Sequence, residues 1–130
     1  MDVEQLKRDI EATLAQAMAQ PGFSVDDYLD ARDDAPFDAA WSLAAADVDD
    51  AGKGQPEAAR HEQEAGSKDL REWVFKNTAE RTGDPELAAY VSDDAGLILE
   101  ASLAGVSSAW IDSLRRCYAL HRLPQGDLSA

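Results

Sequence analysis

The stretch VEQLKRDIEATLAQAMAQPG, residues 3–22, decides the fold class. Its apolar residues Val3, Leu6, Ile10, Leu14 and Met18 recur every three or four positions, which is the period of one face of an α-helix. Pro21-Gly22 then ends the run, because proline lacks a backbone N–H and glycine lets the chain turn.

The same signature recurs downstream. Ser24 caps a short second helix whose inward face is Val25, Tyr28 and Leu29. Pro36 opens a third, with Asp34 as its cap and Phe37, Trp41, Ala44 and Val48 on one stripe. DDAGKGQP at 49–56 reads as a loop, and EAARHEQEA at 57–65 as a polar turn or two with little to bury. Ser67 then caps a stronger helix that presents Leu70, Trp73, Val74 and Phe75 and stops at Gly83. Asp84-Pro85-Glu86 combines a cap, an N1 proline and a first-turn acid. Ser92 restarts a helix with Leu97, Ile98 and Ala101 inward, closing at Gly105. The last helix begins at Ser107 or Ser108 and runs through Trp110, Ile111, Leu114, Cys117 and Tyr118 to Leu123-Pro124. No segment alternates in the manner of a strand, so the expected fold is all-α. It is a single compact domain over 1–130, made of six to seven short antiparallel helices with a loop at 49–56 and a frayed tail at 125–130.

Charge narrows the function. The chain carries 26 acids against 12 bases, a net charge of −14, which repels nucleic acid and anionic membranes and attracts cationic proteins or metals. The excess is uneven. Residues 24–50 hold nine acids and the single base Arg32, whereas residues 51–83 hold six of each. SVDDYLDARDDAPFD (24–38) packs in the carboxylates Asp26, Asp27, Asp30, Asp33, Asp34 and Asp38, of which Asp26, Asp30 and Asp33/Asp34 gather opposite Val25, Tyr28 and Leu29. Like charges at these spacings oppose helix formation by a few tenths of a kcal/mol per pair, and nine acids with one compensating base are more than solubility needs. A solvated helix face is one reading of them; a basic protein partner is the preferred one, with Tyr28 or Phe37 as an aromatic anchor among the acids.

Other chemistries find little support in the residues. DVDDAGKGQPEA (47–58) places Asp47, Asp49 and Gly52 as a calcium loop would. Ala51 and Ala58, however, stand where ligands belong. His61 and His121 fall on different helices, and no metal or cofactor site is expected. Cys117 and His121 are four apart, but a lone cysteine at that spacing reads as a small buried hydrophobe. Asp93-Asp94 reads as a pair of first-turn acids behind Ser92. Glu72, Glu80, Glu86 and Glu100 lie on core-bearing helices, yet no acid has the apolar surround that would raise its pKa. No glycine-rich phosphate loop and no catalytic residue emerges, so the expectation is a non-enzymatic protein. One cysteine excludes an intrachain disulfide, and no stretch has the roughly 20 apolar residues of a membrane span. With no secretory h-region at the start, the expected setting is the cytoplasm.

YVSDDAGLILEASLAG (90–105), with TGDPELAA (82–89) before it and WIDSLRRCYALHRLP (110–124) after it, resembles small bacterial immunity proteins of polymorphic and contact-dependent toxin systems. The resemblance covers about the last forty residues and is a general pattern, so no binding residue carries over by motif. It implies a cytoplasmic inhibitor that neutralises a cognate toxin domain, often a basic nuclease, and the acidic tract agrees independently. The alternative is a helical regulatory or adaptor protein, or a DNA mimic whose aspartates stand in for phosphates.

Overall fold

In the computed structural model, which describes residues 1–128, six helices follow in the order α1 (Val3–Ala19), α2 (Val25–Asp33), α3 (Phe37–Lys53), α4 (Glu57–Thr82), α5 (Pro85–Ala104) and α6 (Ala109–Ala119). The described residues contain no strand. Four helix starts are capped as elementary chemistry requires. The side chains of Asp2, Ser24, Asp84 and Ser108 accept from the backbone N–H three residues on, satisfying an orphan donor of the first turn. Gly83 (φ +69°) and Gly105 (φ +71°) close α4 and α5 in the left-handed conformation that an L side chain resists.

α5 runs through the middle. Leu87, Val91, Ala95, Leu97, Ile98 and Leu99 are buried on several of its faces, as expected of a helix enclosed by its neighbours. α4 packs along it most extensively, α1 lies on α4 and α6, and α3 covers another side of α5. The periodicity of α1 is borne out at Leu6, Ile10 and Leu14, while Met18 at its end is exposed. Each of these buried aliphatic side chains contributes roughly 1.5–3 kcal/mol by leaving water.

Several element boundaries differ from the sequence reading. α3 continues to Lys53, so the loop expected at 49–56 shrinks to 54–56. The Lys53 ammonium lies 3.3 Å from Asp49 and 3.8 Å from Asp50, which suits a cation in a last turn. The polar segment 57–65 is the first third of one 26-residue helix, not a separate turn. It is fastened from outside: the Gln63 amide donates to the Leu103 carbonyl at 3.3 Å. Ser67 is therefore no cap but a fully buried mid-helix residue. Ser92 also sits inside a helix and returns its hydroxyl to the Ala89 carbonyl (2.9 Å), so α5 passes through without a restart.

Two ends also differ. Pro36, not Asp34, occupies the N-cap of α3, and Asp34 contributes its backbone carbonyl to the Asp38 N–H (3.2 Å). α6 stops at Ala119, short of Leu123-Pro124. Beyond it Leu123 and Leu128 pack on the core and Pro124 is buried. Of the tail 125–130, Gln125 and Asp127 are exposed, Leu128 reaches the core, and residues 129–130 lie outside the described residues.

Candidate functional site

α2 has nine residues, too few to be helical alone in water, and its acids repel one another. Its conformation therefore depends on what lies beneath it. Tyr28, Leu29 and Arg32, at 4%, 4% and 3% exposure, point inward. The Arg32 guanidinium meets the Asp94 carboxylate of α5 in a two-pronged pair, with Nη1 donating to Oδ2 at 2.7 Å and Nη2 to Oδ1. Asp94 is fully buried and also accepts from Trp41 Nε1 (2.9 Å) and the Tyr118 hydroxyl (2.6 Å). The Tyr28 hydroxyl accepts from Arg32 Nη1 (3.3 Å) and donates to the Pro124 carbonyl (2.7 Å). The rings of Phe37 and Tyr90 flank the guanidinium, at 4.8 and 5.0 Å from their centroids. One buried polar cluster thereby joins α2, α3, α5, α6 and the chain after α6.

This cluster is self-consistent because every charge in it is answered. Burial works against the Arg32 charge, but the facing Asp94 carboxylate outweighs that effect and holds the guanidinium protonated above its ordinary range. Burial, reinforced by Asp94, pushes the Tyr118 hydroxyl well up. Burial also raises Tyr28, against the pull of Arg32. A buried ion pair brings little net stability over a well-packed apolar substitute, but removing one partner is severe. Its consequence at this site is positional.

Arg32 is the one base of the acidic tract, and its charge is spent inside. Asp26, Asp27, Asp30, Asp33, Asp34 and Asp38 are all exposed, and none has a salt-bridge partner among the described residues. Asp33 alone is tethered, accepting from the Tyr90 hydroxyl of α5 at 2.7 Å. The outer face of α2 and the start of α3 thus present six carboxylates with no neutralising cation between them. The expected aromatic anchors do not join them. Tyr28 (4%) and Phe37 (1%) are core side chains that wall in Arg32, because both lie on the inward stripes of their helices.

Arg32 and Asp94 were not among the expected chemistry-bearing residues, although spacing marks both. Asp94 falls on the stripe Leu87, Val91, Asp94, Ile98 and Ala101, and Arg32 continues Val25, Tyr28 and Leu29. Asp93 and Asp94 are accordingly mid-helix residues, not first-turn acids, and at least Asp94 has the enclosed setting no acid was expected to have. Asp9 is a second such case. Burial works against its charge, yet Arg115 (2.8 Å) and Gln5 (2.9 Å) overcome this and lower its carboxyl below the usual range.

The remaining candidates are dispersed. Asp47, Asp49 and Gly52 are helical residues of α3 and do not form a cation-binding loop. Among the described residues no group of three or more potential ligands could hold a metal ion. Cys117 is half-buried on α6, where burial raises its thiol and Asp94 adds to the rise. His121 lies past the end of that helix at φ +59°, with Nε2 3.9 Å from Asp9, so the two do not share a helix face. No helix of the described residues is long and apolar enough to cross a membrane.

The sequence model of the family described as "Immunity protein PIM1" matches residues 5–125. No curated protein and no solved structure matches.

Proposed function

The chain belongs to the immunity protein PIM1 family, and on that premise we propose that it is a non-enzymatic antidote, a cytoplasmic protein that binds and neutralises a cognate basic toxin domain. A nuclease is the class of toxin whose surface would be basic enough, since it must itself hold phosphates. The observation that carries this reading is the uncompensated tract Asp26, Asp27, Asp30, Asp33, Asp34 and Asp38, whose only base is turned into the core. Such a field draws a cationic protein into encounter and fixes its orientation, and it pushes nucleic acid and anionic membranes away. With Tyr28 and Phe37 buried, Leu43, 70% exposed on α3, is a large apolar side chain left open to a partner.

The test is association kinetics against a catalytically dead form of the toxin encoded beside this gene, at two or more salt concentrations. Replacing Asp26, Asp30 and Asp34 by Asn is expected to slow association at low salt by roughly tenfold and to flatten its salt dependence. Dissociation should change much less. The fold should survive, because these side chains are exposed. An on-rate and salt slope unchanged in the triple variant would refute the reading and leave these aspartates as a solvated surface.

A further inference from the structure

α3 and α4 both pack on α5 but scarcely touch each other, so a groove opens between them with α5 as its floor. It encloses about 210 Å³, far beyond the 10–15 Å³ or so that one water needs on the same measure. Val48 and Leu97 make its base apolar, and Trp41 forms one wall, its ring held in place by the indole bond to Asp94. On the α5 side the groove presents Asp93 and, two turns on, Glu100. Asp93 lies one turn beyond Tyr90, which holds Asp33 of the acidic tract.

Of the bases of the groove, Arg71 reaches α5, one turn from Asp93. Lys53 is occupied by Asp49 and Asp50. Arg60 and Arg71 belong to the opposite bank, α4. The Arg71 stem lies across Gly96, where an added Cβ would come within 2.6 Å of its Cδ, so only a glycine lets it rest there. Asp93 has no salt-bridge partner within 4.0 Å among the described residues. Asp93 is exposed, yet the desolvation it does suffer raises its carboxyl, Arg71 lowers it, Asp94 raises it again and Arg32 lowers it, with a net rise. A carboxylate in that condition gains from any cation brought beside it.

We propose that this corner receives an arginine or lysine side chain of the toxin, laid against Trp41 and paired with Asp93. The inference deepens the reading of the chain as a binder of a basic protein and rests on it. It extends the contact surface from α2 along α5, and it turns diffuse attraction into a register, because a single cation must find a single carboxylate beside a fixed ring.

The experiment needs no toxin. The full chain, labelled with nitrogen-15, is titrated with N-acetyl-arginine methylamide, with its neutral citrulline counterpart and with acetate. The arginine compound is expected to shift the Trp41 indole N–H and the amides around Asp93 saturably, in the millimolar range. Citrulline should bind roughly fivefold more weakly or worse, and Asp93→Asn should weaken arginine binding by the same factor. That variant keeps its fold, since it removes a carboxylate whose charged form is disfavoured. Equal shifts from citrulline would overturn the proposal, as would arginine shifts confined to residues 26–38, acetate moving Arg60 and Arg71 where arginine moves nothing, or no saturable shift at all. Any of these could occur while the triple aspartate variant still slows toxin association, so failure here is distinct from failure of the antidote reading.

Discussion

Asp94→Asn is the sharpest perturbation of this molecule. The wild-type carboxylate accepts from both prongs of Arg32, from the Trp41 indole and from the Tyr118 hydroxyl, with none of its surface exposed. An asparagine there turns one acceptor oxygen into an N–H₂ that faces donors, and it leaves the Arg32 guanidinium buried without its counter-charge. Breaking a buried pair from one side costs about 3–5 kcal/mol, a large share of the roughly 5–15 kcal/mol that holds such a domain together. The melting temperature should fall by about 10–20 °C. Arg32→Met keeps the chain between Phe37 and Tyr90 but strands the Asp94 charge, and should cost about as much. The double variant has no unanswered charge, and its asparagine oxygen can still accept a hydrogen bond from Trp41 or Tyr118. It is expected to lose less than the sum of the single losses by about 2 kcal/mol or more. Urea unfolding followed by tryptophan fluorescence measures all three, with an unchanged m-value confirming that the same transition is compared. Additive losses, or an Asp94→Asn loss below about 1 kcal/mol, would refute the claim that the cluster acts as one charge-matched unit.

Three further outcomes are open to direct measurement. All three tyrosines, Tyr28, Tyr90 and Tyr118, have hydroxyls raised above the ordinary 10.0, so the native state keeps protons that the unfolded chain releases. Stability should therefore fall as pH rises past about 10, and tyrosinate absorbance should appear together with loss of helix rather than before it. Asp9 is lowered from 3.8, so its pair with Arg115 stabilises the fold above that pH and fails as pH falls through the lower folded value. Arg115→Gln should move the acid-unfolding midpoint upward by circular dichroism, and an unmoved midpoint would dismiss the pair. Cys117, half-buried with a raised thiol, should react slowly with a thiol reagent in native protein and fast in urea. Rapid native labelling would contradict its place on α6.

The helices and the acidic tract were legible from residues alone because both are local or additive properties. The three-to-four spacing of Leu6, Ile10 and Leu14, the caps at Ser24, Asp84 and Ser108, and the stops at Gly83 and Gly105 each depend on a few neighbouring residues. A charge excess is a count. Tertiary structure decided whatever depends on a partner distant in the chain. The polar run 57–65 is helical through contacts such as Gln63 with Leu103, forty residues away. Ser92 belongs to an unbroken helix because its hydroxyl found a carbonyl behind it and the helix found neighbours all round. Tyr28 and Phe37 lie in the core and not among the exposed acids, and Arg32 met Asp94 across 62 residues of sequence. No local rule assigns a charge to a countercharge so far off. Only the packed chain, which cannot bury either group alone, shows that the tract's one base is turned inward and its six carboxylates stand outside.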